Sequence, residues 1–181
     1  EQAKLFELRY QTKHQTARPN LGVSASFGQL FGVMGMDAGY QSYLSYNNKW
    51  SYQQGEQFRY GAGGGKLILN DDVDYESSKY SVNVTGLLNA GIESEHHELK
   101  STTALIRKSH RITRVEEGKD SEADLYIRET ELEWSERELF SQQFNAQHRL
   151  SQQLTVDWLL GFSSASLDTP DRISYSYDDE I

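Results

Sequence analysis

The chain has 181 residues, 36% hydrophobic, 12% aromatic and 25% charged, enough for one domain with a sizeable core. Its mean hydropathy of -0.72, with no unbroken apolar run of about 18 residues, excludes a transmembrane helix but not a transmembrane β-barrel. The absence of cysteine excludes a disulfide framework, a thiolate metal site and cysteine catalysis, and a net charge of -9 argues against a generic nucleic-acid surface.

Glu1 is not an initiator Met, and no basic-then-apolar leader precedes Lys4. Asp178-Asp179-Glu180-Ile181 is acidic and reads as the middle of a loop. The expectation is a piece of something longer, with residues 1–181 forming part of one domain.

Two prolines, 14 glycines and eleven tyrosines point to sheet rather than helix. In chain order, a weak strand is expected at Leu5–Gln11. Next, Leu21, Val23, Ala25 and Phe27 alternate with Gly22, Ser24, Ser26 and Gly28. Ala38, Tyr40, Leu44, Tyr46, Trp50 and Tyr52 then alternate with Gln41, Ser45, Asn47, Lys49 and Ser51. Tyr80, Val82, Val84, Leu88, Ala90 and Ile92 oppose Ser81, Asn83, Thr85, Asn89 and Glu93, and a weaker strand follows at Leu99–Arg107. A period of two held this long is the signature of strands.

The run Leu125–His148 is the longest. Thr130, Leu132, Trp134, Phe140, Phe144 and Ala146 fall on one side, against Glu131, Glu133, Ser135, Arg137, Ser141, Gln143, Asn145 and Gln147, with Leu139 the exception. Fully extended, it would approach ~80 Å at ~3.3 Å per residue, far beyond a common soluble strand. Glu136 and Glu138 interrupt its apolar side. A helix over Glu129–Leu139 is the rival reading, but Leu132, Trp134 and Leu139 make no clean helical stripe. Leu154–Phe162 alternates again, and Ile173–Tyr177 closes the count at about eight strands.

Gly91–Glu98 and His148–Leu154 read as short turns and Gln29–Asp37 as a moderate one. Gln53–Lys79 and Arg107–Ala123 read as long polar loops, and Leu167–Arg172 opens another. Short and long connections alternating along an antiparallel meander match outer-membrane barrels. A soluble sandwich would carry the same alternation with its apolar face turned inward. Long strands and aromatic residues near strand ends favour the inverted arrangement. Tyr40, Tyr46, Trp50, Tyr52, Phe140, Phe144 and Trp158 are then lipid-facing or interfacial. The fold expected is all-β: an antiparallel up-and-down meander of about eight long strands, part of a larger transmembrane β-barrel.

The segment Leu132-Glu133-Trp134-Ser135-Glu136-Arg137-Glu138-Leu139-Phe140, continuing Ser141-Gln142-Gln143-Phe144-Asn145-Ala146-Gln147-His148-Arg149-Leu150, resembles one barrel hairpin of the TonB-dependent outer membrane receptors. Leu154–Trp158, Thr169–Arg172 and Tyr175–Tyr177 are similar to its continuation, and Gly39–Trp50 to an earlier strand. The resemblance covers about Leu21 to Tyr177, through order and spacing rather than any one motif. It implies a ~22-stranded barrel in the outer membrane of a Gram-negative bacterium, filled by a plug domain and energised by TonB for active nutrient uptake. Iron-siderophores, cobalamin and carbohydrates are the usual cargo. Neither a plug nor a TonB-engaging segment is recognisable in this sequence. The alternatives are a complete small eight-stranded outer-membrane barrel and a soluble lipocalin- or sandwich-like binding domain.

No enzymatic centre, cofactor or metal is expected. Asp71, Asp72, Asp74 and Glu76 lack the glycine and spacing of an EF-hand. His96 and His97 are adjacent, so on a strand they would point to opposite faces, and they read as a polar turn. His110 and His148 have no identifiable partner in the sequence. Gly61–Lys66 fails the phosphate-loop pattern because Leu67 follows the lysine, and reads as a flexible loop. In a barrel, function belongs to the lumen wall and outer loops. Luminal candidates are Glu131, Glu133, Arg137, Gln143, Asn145 and Asp157, and loop candidates for a polar ligand are Arg59, Tyr60 and Tyr75. Expected partners are outer-membrane lipid, an unidentified small-molecule ligand and, by resemblance, TonB and a plug; nucleic acid is not expected.

Overall fold

The computed structural model describes residues 12–63, 65–120 and 125–180. They form one six-stranded antiparallel sheet in simple meander order, with no helix among the described residues. The strands are β1 (Leu21–Val33), β2 (Met36–Gly63), β3 (Lys66–Glu93), β4 (His97–Asp120), β5 (Leu125–Arg149) and β6 (Thr155–Glu180). The expected strand at Leu5–Gln11 lies outside the described residues. β1 and β6 are the two edges of the sheet and do not pair with each other, so the sheet is open.

The expected long loops are corrected to strand. Gln53–Lys79 is the far half of the β2–β3 hairpin, whose pairing continues out to Gly63 opposite Lys66 with one register shift, between Arg59 and Tyr60. Arg107–Asp120 continues β4 in register with both neighbours. Polar residues on both faces hid these extensions, because the few apolar ones, such as Leu67, Ile68 and Leu69, keep no period of two. Of the Gly61–Lys66 segment expected as a flexible loop, Gly61–Gly63 belongs to β2 and Lys66 to β3, Gly65 has φ +76°, and residue 64 lies outside the described residues. Likewise Leu167–Arg172 and Ile173–Tyr177 belong to β6, not to a loop and a separate strand. Two residues, Thr169 and Pro170, bulge there opposite Ser135. A proline without an N–H is tolerated at a bulge on an edge strand. The helical alternative over Glu129–Leu139 is also overturned, since that run lies inside β5.

Three turns sit at one end of the sheet: Met34-Gly35, 94–96 and 150–154. Met34 and Gly35 both have positive φ, 52° and 80°, the conformation of a two-residue turn that matches strand twist. The next two are short, as expected, and close through Ser94 N–H to His97 O at 2.7 Å and Leu150 N–H to Leu154 O at 2.9 Å.

Cross-strand partners share a face, so the register assigns every side. One face carries Val23, Phe27, Leu44, Tyr46, Val84, Leu88, Leu105, Phe140, Leu160 and Phe162 near the three turns. All seven aromatics assigned to lipid from the sequence lie on it. Nothing in the described residues covers it: Leu44 is 65% exposed and Phe162 63%. The other face carries Ser, Asn, Gln, Lys, Glu and Arg. Among the described residues only Val73, Thr130, Ser135 and Ala146 are buried, as a single sheet without a second layer requires.

Candidate functional site

The polar face holds three groups of chemistry-bearing side chains, strung along the strands. At the hairpin end, Arg59 on β2 stands opposite Asp71 on β3. Its Nη1 donates to Asp71 Oδ2 at 3.1 Å and its Nη2 to Glu116 Oε2 at 3.0 Å. Arg114 on β4 donates from Nε to the other Glu116 oxygen at 2.5 Å and from Nη2 to Gln57 Oε1 at 3.1 Å. Glu116 thus bridges two guanidinium groups, with only 13% of its side chain exposed. Arg114 also lies over the Tyr75 ring, 5.0 Å from the centroid, a cation–π geometry. The Tyr75 ring in turn covers Gly55 directly across the ladder, filling the space a side chain there would take.

This group exists because β3 and β4 approach closely beneath it. Val73 is fully buried, and Gly118 is its direct partner. A Cβ at Gly118 would run into the Asp72 carbonyl oxygen and stand 2.6 Å from the Val73 Cα. Backbone cannot yield to that, so glycine is required. A bulge beside the group, between Arg59 and Tyr60, turns Asn70 inward to accept the Gly61 N–H at 3.2 Å.

Midway along the sheet, Arg172 on β6 donates to Glu131 at 3.1 Å and lies 3.8 Å from Glu133. His110 on β4 approaches Glu133 from the other side, its Nε2 at 3.8 Å. Arg137 is exposed between its ladder partners Lys108 and Leu167. Nearest the turns, Gln143 donates to Asn145 Oδ1 at 3.1 Å and Lys100 pairs with Glu98. Glu98, Lys100, Asn145, Gln147 and Asp157 line a shallow depression there.

The luminal and loop ligand candidates named from the sequence, except Tyr60, therefore lie on the polar face, with Tyr60 turned to the opposite side from its neighbour Arg59. They do not converge on one centre. Glu133 and Asn145 are twelve residues apart on one strand, ~40 Å. The acidic cluster also divides, because Asp71 turns to Arg59 while Asp72, Asp74 and Glu76 share the other face. The arrangement offers a track of alternating donors and acceptors, not an enclosed catalytic pocket. Sequence reading missed Gln57, Asp71, Arg114, Glu116 and Arg172 as contributors. Their signal was available only through register, since Arg59 meets Asp71 by folding about the Gly-rich tip.

Far from the turns on the opposite face, the Tyr126 hydroxyl donates to Glu117 Oε1 at 3.1 Å. Partial burial and that carboxylate push its phenol above the ordinary tyrosine range. No group of three or more His, Asp or Glu side chains among the described residues is placed to hold a metal ion. No protein-family model matches the chain, and no curated protein matches it.

Proposed function

We propose that this sheet is a section of the wall of a large outer-membrane β-barrel, and that the barrel is a TonB-dependent receptor for active nutrient uptake. The observation that carries the barrel reading is the uncovered apolar face, backed by a polar face rich in hydrogen-bonding groups. Lipid outside and a wet or plugged lumen inside account for both without a second layer.

The dimensions agree. Tyr40 and Trp50 bracket the apolar stretch of β2, ten residues apart. That is ~34 Å along the strand and ~26 Å along the membrane normal at the ~40° tilt of barrel strands, against an apolar band of ~25 Å. The upper edge of the band is also staggered. Trp50 shares its row with Trp134, but on β5 the charges continue four residues further toward the turns, to Glu138. Three strand spacings of ~4.8 Å at that tilt require a stagger of three to four residues. An aromatic row marks the rim: Trp50 stacks on Tyr80 at 4.4 Å, and Arg111 sits 5.4 Å from the Trp134 centroid.

The open edges at β1 and β6 call for neighbouring strands, and six strands would form about a quarter of a 22-stranded wall. The receptor assignment rests further on the resemblance of Leu132–Leu150 and its flanking strands. In that setting the far hairpins project beyond the bilayer as stiff β-extensions. Ligand recognition falls to the Arg59, Tyr75, Arg114 and Glu116 group toward their far ends, and the Glu131, Glu133 and Arg172 group lines the lumen. Chemistry on a substrate is no part of this role.

The test is the intact mass of the native polypeptide from washed outer membranes, combined with uptake in cells lacking TonB. A chain several times longer than 181 residues, whose nutrient uptake stops without TonB, is the expected result. A membrane protein of this length alone would replace the receptor with a small barrel. A soluble protein would turn the apolar face inward.

A further inference from the structure

The sheet brings together two histidines that the sequence keeps 51 positions apart. His97, the first residue of β4, is the direct ladder partner of His148 on β5. Their Nδ1 atoms lie 3.0 Å apart, with ring centroids at 5.1 Å. On the far side of His148, Trp158 of β6 donates its Nε1–H to Nε2 at 3.0 Å.

The proton positions follow from the donors available. Indole is a donor only, so Nε2 of His148 accepts, and its proton rests on Nδ1. That Nδ1–H then donates to His97, whose own Nδ1 presents a lone pair and whose proton rests on Nε2. The unit is a neutral chain, Trp158 to His148 to His97. His96, one residue before His97, lies in the turn and takes no part; its carbonyl accepts the Arg149 N–H at 2.8 Å.

We propose that His97 and His148 form a two-imidazole site for a divalent transition metal of the copper–nickel type. Two nitrogens ~2.0 Å from one metal at right angles stand ~2.9 Å apart, close to the spacing already present. Neutral imidazole is the ligand such ions prefer, and copper(II) leads the affinity order for nitrogen sites. His97 is exposed and His148 half-buried, so water completes the coordination and the metal exchanges freely. The proposal is independent of the barrel reading, because it uses only the β4–β5–β6 register.

Proton balance makes it specific. His97 supplies Nδ1 as it stands. His148 must move its proton from Nδ1 to Nε2, with no net proton release. Nε2–H then faces the Trp158 N–H, two donors with no acceptor between them, and that hydrogen bond is lost. Trp158 therefore opposes the metal, by about the worth of one neutral hydrogen bond, a few-fold in affinity.

The experiment is copper(II) titration of the native full-length protein in detergent, read by electron paramagnetic resonance. One ion per chain with two equatorial imidazole nitrogens is expected. His97→Ala and His148→Ala should each weaken binding roughly tenfold or more and remove the two-nitrogen signature, as should His97→Gln and His148→Gln if the alanine forms fold poorly. His96→Ala should leave the site intact, and Trp158→Phe should tighten it a few-fold. Absence of a two-nitrogen signal, its survival in either the His97 or the His148 variants, or weaker binding in Trp158→Phe would each overturn the proposal.

Discussion

Glu116 shows how much one side chain can be asked to hold. Both of its oxygens are taken by arginines from different strands, and neither arginine is fully buried, so the charges are partly screened. Glu116→Gln should destabilise the hairpin end by about 1 kcal/mol, measured by denaturant unfolding. A double-mutant cycle with Arg59→Met should show that the two losses are not additive. Gly118→Ala should do more damage through one methyl group, because the atoms in its way are backbone. Amide exchange at Val73 and Asp72 should rise sharply in that variant while exchange at Val84 stays slow. Residues of this kind were not legible in the sequence. Gly118 sits in a charged run that advertises nothing, and only its pairing with Val73 reveals the requirement.

At the scale of elements, the sequence was legible wherever one side of a strand is apolar. The alternation over 21–28, 38–52, 80–93 and 125–148 marks real strands, and the faces it assigns agree with the register. It failed where the same strands run on past the apolar band, as in 53–79 and 107–120. There apolar residues such as Leu67, Ile68 and Leu69 fall on both sides among polar ones, so period two carries little hydropathy contrast. The backbone ladder carries those extensions instead, across charge pairs of both kinds: Arg59 faces Asp71 and Asp72 faces Lys119, but Asp74 stands between Glu56 and Glu117. The two halves of a strand should therefore respond differently to charge. Leu44→Arg should cost ~2–4 kcal/mol in lipid vesicles, as a charge near the bilayer midplane does. Ser45→Arg, the adjacent residue on the polar face, should be nearly neutral in the same urea titration. Equal costs at the two positions would contradict the assignment of faces.

For the whole molecule, the decisive property is that the sheet has two unlike faces and two open edges. A soluble protein of this composition would fold a second layer against Leu44, Phe140, Leu160 and Phe162, whereas a barrel wall leaves them to lipid and closes its edges with further strands. The site inherits this architecture. Its residues are spread along the polar face because the strands are long, and the sequence could name some members of each group without showing that they form three groups. The most direct measurement is a spin-label scan of β2 from Tyr40 to Ser51 in the membrane-embedded protein. The sequence has no cysteine, so single cysteines can be introduced without background. Labels at 40, 42, 44, 46, 48 and 50 should collide preferentially with oxygen dissolved in lipid, and labels at 41, 43, 45, 47, 49 and 51 with a water-soluble reagent or with neither. Even-numbered positions shielded from both reagents would place a second protein layer on that face and contradict the account.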